Sequence, residues 1–345
     1  MLSEWLSSLP IIAIIGALAV AAVVIGFTGT RLSRIADQLA DKTGMGEAIF
    51  GALLLGASTS LAGIVTSVTA ASQGYAELAA SNAIGGIAAQ TMFLALGDLA
   101  YRRSNLEHAA ASMTNLLQGV LLVTLLSLPL LAASSPAWTL WGVHPISVIL
   151  LSSYILGTAI TSKAKDTPMW QPRQTRDTQP DEPEPDEELP ALKHLWWRFG
   201  LLTLTIAVAG YIVAETGAQL ATRTGLGELV VGSLLTSVIT SLPELVTTIA
   251  AVRQGALTLA VGGIIGGNSF DMLFLAFADV GYREGSIYHA MGQRPIFLIA
   301  LTMLLTGISI MGLLRRERGG LANIGLEGVL ILGCYALGSW MLFYL

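Results

Sequence analysis

Residues 240–247 read Thr-Ser-Leu-Pro-Glu-Leu-Val-Thr, inside the stretch 229–252 in which Glu244 is the only ionisable side chain. A run this long and apolar can cross a bilayer core, which takes roughly 20 residues as a helix. A proline and a carboxylate at its middle are departures from what lipid favours. An ionised carboxylate at bilayer centre costs roughly 2.5–3.5 kcal/mol even on the lenient insertion scale, so it persists only facing a wet or protein-lined cavity. Pro243 has no N–H, so the carbonyl one turn earlier, around Ile239, loses its helical partner. Freed carbonyls, the Thr240 and Ser241 hydroxyls and the Glu244 carboxylate then offer an oxygen-lined place for a cation.

The rest of the chain sets this stretch in context. Of 345 residues, 53% are hydrophobic and 12% charged, too few charges to cover a soluble surface. The expected fold is an all-α membrane protein with ten transmembrane helices, near 9–29, 47–72, 76–99, 112–133, 143–162, 196–220, 227–252, 257–280, 295–314 and 324–344. No Lys or Arg precedes the first run, and it exceeds a signal-peptide core, so it reads as a retained span. With both termini outside, fifteen of the 18 Lys and Arg residues fall inside and only Arg223, Arg283 and Arg294 outside. That excess obeys the positive-inside rule. The expected location is a bacterial inner membrane, with the lipid bilayer as partner and no nucleic acid. Cys334 is the only cysteine, which excludes a disulfide framework and leaves a small buried residue in the last span.

The chain repeats itself. Residues 44–72 align without a gap on 225–253 at an offset of 181, and the register continues. Gly85-Gly86 meets Gly266-Gly267, Phe93-Leu94-Ala95 meets Phe274-Leu275-Ala276, Asp98 meets Asp279, and His108 meets His289. Five spans per half is an odd number, so the second copy enters the membrane from the opposite side. Two inverted five-helix repeats are expected, 1–163 and 195–345, with their matching cores near 44–100 and 225–281. That architecture places a substrate site near the midplane between the copies. Between them, 164–194 carries six prolines and the acidic run Asp-Glu-Pro-Glu-Pro-Asp-Glu-Glu at 181–188, and reads as a solvated cytoplasmic linker.

One span after Glu244 comes Gly-Gly-Asn-Ser-Phe-Asp at 266–271. Asn268 and Asp271, three apart, share a helix face behind two glycines that permit close helix approach. Glu244, Asp271, Asn268, Thr240 and Ser241 all offer hard oxygens, which suit Ca²⁺, Na⁺ or H⁺ rather than a soft metal.

These two motifs, 240–247 followed by 260–271, resemble the second α-repeat of the calcium/cation antiporter superfamily, and of the sodium/calcium exchanger family within it. The resemblance implies an antiporter trading Ca²⁺ for Na⁺ or H⁺ at a central carboxylate cluster, with transported cations and no cofactor. It makes Glu244 and Asp271 the metal-binding carboxylates, and Asn268, Thr240 and Ser241 polar ligands of the same cavity. The first repeat departs from the pattern. Pro243-Glu244 falls on Ala62-Gly63, Asn268 on Ile87 and Asp271 on Gln90, while Thr59 and Ser60 match Thr240 and Ser241. Thr59, Ser60 and Gln90 therefore join the candidate set, and only half of the expected charge is present.

Two carboxylates can neutralise one Ca²⁺, or two Na⁺ or H⁺. Ca²⁺ wants roughly six to eight oxygens, which this set can just supply. The alternatives are a monovalent cation/proton antiporter, or a transport-silent homologue acting as a binding subunit. An intramembrane serine hydrolase using Gly-Ala-Ser-Thr-Ser at 56–60 would need a histidine at matching depth, and all four histidines lie at span ends or in loops. Glu47 and Glu228 read as partners of their own helix N-termini. Asp98 and Asp279 read as interfacial anchors, and His108 and His289 as solvated loop residues.

Overall fold

The structure, a computed structural model, describes residues 8–43, 57–100, 105–166, 173, 191–254, 257–317 and 325–345. Most of the 164–194 linker, the start of the second expected span and Glu47 lie outside the described residues. The chain is helical nearly throughout. In order it forms α1 (Ile11–Thr43), α2 (Leu61–Ser72), α3 (Ala76–Ala100), the short α4 (Leu106–Ala109), α5 (Met113–Ser134), α6 (Pro145–Asp166) and α7 (Leu192–Thr224). A broken segment follows: α8 (Gly227–Val230), a π-helical stretch (Val231–Thr236), α9 (Ser237–Thr240) and α10 (Leu242–Gln254). The chain then forms α11 (Leu257–Asp271), α12 (Leu273–Gly281), the short α13 (Ile287–Ala290), α14 (Arg294–Arg315) and α15 (Leu326–Met341).

Among the described residues seven helices are long and apolar enough to cross a membrane, and the pair Gly227–Thr240 and Leu242–Arg253, bent by 50°, makes up to eight. Leu61–Ser72 and Leu326–Met341 are shorter apolar helices.

Apolarity and burial run in opposite directions in two of these helices. The Ile11–Ala36 stretch of α1 is the most apolar, with mean hydropathy 2.7, yet most of its surface faces outward. The Ala76–Asp98 stretch of α3 is the least apolar, at 1.3, and is almost wholly enclosed by protein. A lipid-facing helix has only hydrocarbon to meet, whereas an enclosed one can satisfy polar side chains on its neighbours. Helix α3 accordingly carries Asn82, Gln90 and Thr91, all buried, and packs on the π-helical stretch, α10, α11, α14 and α15.

Small residues allow the close crossings. A Cβ on Gly85 would sit 2.5 Å from the Ser233 Cα, so α3 and the π-helical stretch meet backbone to backbone. Local signals set several helix ends. Ser112 accepts from the Asn115 N–H to start α5, Pro295 stands in the first turn of α14, and Gly225 at φ 71° closes α7.

Three sequence expectations change here. Asp98 and Asp279 are not interfacial anchors but fully buried caps, each 0% exposed. Asp98 Oδ1 accepts from Leu106 N at 2.6 Å and its Oδ2 from Gly325 N at 3.2 Å. Asp279 Oδ1 accepts from Ile287 N at 3.0 Å and its Oδ2 from His144 N at 2.7 Å. The two sets are equivalent at the 181-residue offset. Each aspartate thus satisfies orphan N–H groups at the start of a short helix in its own half and of a long helix in the other. His108 is buried, not solvated, with Nδ1 2.7 Å from the Arg316 carbonyl, and the half-buried His289 places Nε2 2.8 Å from the Ser135 carbonyl. Glu228 caps a different helix from its own: its Oε2 accepts from Leu78 N at 3.0 Å, in the first turn of α3. Cys334 is a half-buried free thiol.

Candidate cation site

The π-helical stretch and the 50° bend aim the broken segment at the centre of the protein. Ser241 sits at the break, and Pro243 falls in the first turn of α10, where a missing N–H costs no helical bond. Glu244 follows within that same turn and points inward, 5% exposed.

Around it lies a narrow pocket. Its polar lining comes from Glu244, Asp271, Gln90, Ser60, Thr240 and Ser241, and its remaining walls from Gly63, Gly86, Asn82 and Phe274. Ser60 Oγ donates to Asp271 Oδ1 at 2.5 Å. Gln90 Nε2 donates to Asp271 Oδ2 at 2.6 Å and to Ser241 Oγ at 3.1 Å. The Thr59 hydroxyl bonds the Glu244 carboxylate. Hydrogen bonds to a charged acceptor are worth about 1.5–3 kcal/mol each, so Asp271 is firmly held.

Two oxygens of this pocket have no such partner. Glu244 Oε2 and Gln90 Oε1 are buried and meet no donor. Because the amide nitrogen of Gln90 is committed to Asp271 and Ser241, its oxygen is the atom left without a partner. Among the described residues no group of three or more Asp, Glu, His or Cys side chains is placed to hold a metal ion, and the pocket's lining has no acid beyond this pair.

Of the eight candidate residues, Thr59, Ser60, Gln90, Thr240, Ser241, Glu244 and Asp271 converge on this pocket. Asn268 does not. Its Nδ2 donates to Thr91 Oγ1 at 3.1 Å, and it lines a neighbouring cavity with Thr91, Thr306 and Ser309. Three residues before Asp271 on α11, it lies about 60° round the helix, enough to aim it at Thr91 and the neighbouring cavity instead of the pocket around Glu244. Two of the walls knit the pocket to its neighbours. Asn82 binds α2 to the broken segment, donating to Ser67 Oγ at 2.9 Å and accepting from Thr236 Oγ1 at 2.7 Å. Phe274 covers Gly63: a Cβ on Gly63 would overlap the ring at Cε2 and lie 2.9 Å from Cζ. Gly63, at the position equivalent to Glu244, marks in the sequence a missing side chain but not what fills its place.

With this geometry in hand, comparison with known proteins is decisive. The profile of the sodium/calcium exchanger protein family matches the chain twice, over residues 13–163 and 194–344. The chain belongs to that family. The two matches begin 181 residues apart (194 − 13), the offset of the internal repeat. Among relatives of this exchanger-family chain, CaxA of Alkalimonas amylolytica, named as an antiporter, is 25% identical over 316 residues, covering 89% of this chain and 92% of CaxA. The crystal structure of the H⁺/Ca²⁺ exchanger CAX superposes with a TM-score of 0.65 at 12% identity, over 96% of this chain and 86% of CAX. The sodium-calcium exchanger NCX_Mj superposes with a TM-score of 0.57 at 18% identity, over 95% and 98%. At these identities the two structures speak for a shared fold.

Proposed function

We propose that this exchanger-family chain is a membrane cation antiporter, exchanging Ca²⁺ or a related cation for Na⁺ or H⁺ by alternating access at the Glu244–Asp271 pocket. Ten crossings in two inverted five-helix repeats form the scaffold, 1–163 and 195–345, joined by a cytoplasmic 164–194 linker with both termini outside. The paired caps at Asp98 and Asp279, and the doubled family match, support that duplication.

One observation carries the site: Glu244 Oε2 and Gln90 Oε1, buried acceptors without donors, belong to side chains that line the same pocket as Asp271. A buried oxygen with no donor is costly, and a cation supplies what it lacks. Thr59, Ser60, Thr240 and Ser241 add further hard oxygens. Asn268 belongs to the neighbouring cavity and holds α11 against α3 through Thr91. Antiport then rests on mutual exclusion. The carboxylate pair binds either the driven or the driving ion, and the empty, uncompensated pair is too costly to carry across.

The neutral Gln90 in the place equivalent to Asp271 favours a second reading, monovalent cation/proton exchange, in which low charge selects against divalents. Uptake of radiolabelled calcium into proteoliposomes under an outward Na⁺ gradient, and separately under an outward H⁺ gradient, decides between them. Uptake driven by one gradient and abolished by Glu244→Gln is expected. No uptake under either gradient rejects the calcium reading.

A further inference from the structure

The calcium-exchange reading, on which this inference rests, leaves the charge moved per cycle unspecified, and the pocket's own walls speak to it. The pocket contains two carboxylates, and no third acid gathers with them among the described residues. The position equivalent to Asp271 is Gln90, whose amide protons are engaged by Asp271 and Ser241. The position equivalent to Glu244 is Gly63, and the volume a side chain would need there is taken by the buried Phe274 ring.

An aromatic ring packed on a bare Cα fills the place where the first repeat would present a carboxylate. A further cation there would shed water and meet hydrocarbon with no counter-charge, which a low-dielectric interior penalises heavily. The pocket therefore compensates two positive charges. With one divalent cation it is neutral, with two monovalent cations it is neutral again, and empty it carries two uncompensated negative charges.

We propose that Phe274, seated on Gly63, limits the site to a charge of two and so makes the exchange electroneutral, one divalent cation against two monovalent ones. Phe274 acts by excluding a third charge and touches no transported ion.

Static-head accumulation is the measurement, because it reports stoichiometry independently of which step limits the rate. Purified full-length protein in proteoliposomes accumulates radiolabelled calcium under a fixed monovalent gradient while valinomycin and a chosen potassium gradient set the membrane potential. The final calcium ratio is expected to equal the square of the monovalent ratio and to stay unchanged when the potassium gradient is altered. A calcium ratio that shifts about tenfold for each tenfold change in the potassium gradient means one net charge moves per cycle and overturns the proposal. No calcium movement at all rejects the underlying calcium reading, and the proposal with it. Calcium movement with a potential-dependent end point rejects the electroneutral inference alone.

The double change Gly63→Glu with Phe274→Ala supplies the third carboxylate and the room for it. Potential-dependent accumulation is expected from it, and calcium movement with a potential-independent end point shows that Phe274 is not what limits the charge. If this variant does not fold, the wild-type end point still decides.

Discussion

Gln90 and Asp271 stand 181 residues apart at equivalent positions of the internal repeat, and their side chains touch, Nε2 to Oδ2, at 2.6 Å. A residue can meet its own repeat equivalent only where the two halves face each other across their shared axis. The flanking bonds obey the same relation, since Ser60 donates to Asp271 while its equivalent Ser241 accepts from Gln90. Where the halves differ, one carries an acid and the other the amide that donates to it.

That contact is testable from both sides. Gln90→Leu leaves Asp271 Oδ2 without its donor and is expected to cost about 1–3 kcal/mol, seen as a lower melting temperature in detergent. Gln90→Asp sets two carboxylates against each other, so its stability is expected to depend on added calcium far more than that of the wild type. Equal calcium-induced shifts in both proteins would mean the pocket does not take the ion.

The fit of Phe274 over Gly63 predicts overpacking. Gly63→Ala is expected to destabilise by about 1–3 kcal/mol, and Phe274→Leu in the same chain to recover part of that loss by removing the ring edge. Additive losses in the double variant would show that the two positions do not press on each other.

Asp279 accepts from Ile287 N, His144 N and, at 2.7 Å, Ser147 Oγ. Asp98 accepts from Leu106 N and Gly325 N. Each cap joins helix starts from both halves, so Asp279→Ala and Asp98→Ala are expected to lower the melting temperature markedly, with Asp279→Ala the more severe. Each donor left buried and unpaired costs about 1–3 kcal/mol. Wild-type melting in both variants would show that the caps are dispensable.

His144, just outside the span that begins at Pro145, is buried, and burial pushes its imidazole below the ordinary value of 6.5 against the opposing pull of Asp279. The folded protein therefore binds this proton less readily than the unfolded chain. Its neutral form carries no penalty above the ordinary value, and stability is lost as pH falls through 6.5. Melting is expected to fall between about pH 7.5 and about pH 5.5, and His144→Gln to narrow that fall. An unchanged fall in the variant would place the proton elsewhere.

The sequence by itself determined the membrane class, the repeat at 181 residues, the break at Ser241-Leu242-Pro243 and the choice of Glu244 and Asp271 as candidates, which the fold brings to one pocket. These are local or composition-borne signals: apolar runs are sized by the bilayer, a mid-span carboxylate is costly anywhere, and duplicated residues keep their spacing. Which groups actually meet was decided only by tertiary structure. Asn268 and Asp271 lie on one helix, yet one meets Thr91 beside a neighbouring cavity and the other Gln90 in the pocket of Glu244, because helix rotation and neighbours set side-chain direction. Asp98 and Asp279 read as interfacial anchors, and Glu228 as a partner of its own helix start. Each accepts from an N–H far along the chain, that of Gly325, His144 and Leu78 in turn, since a carboxylate inside the fold takes whichever orphan donors the packing brings to it. Phe274 gave no sign in the sequence of covering Gly63, because filling a space left by a missing side chain depends on distance in three dimensions and leaves no periodic trace along one.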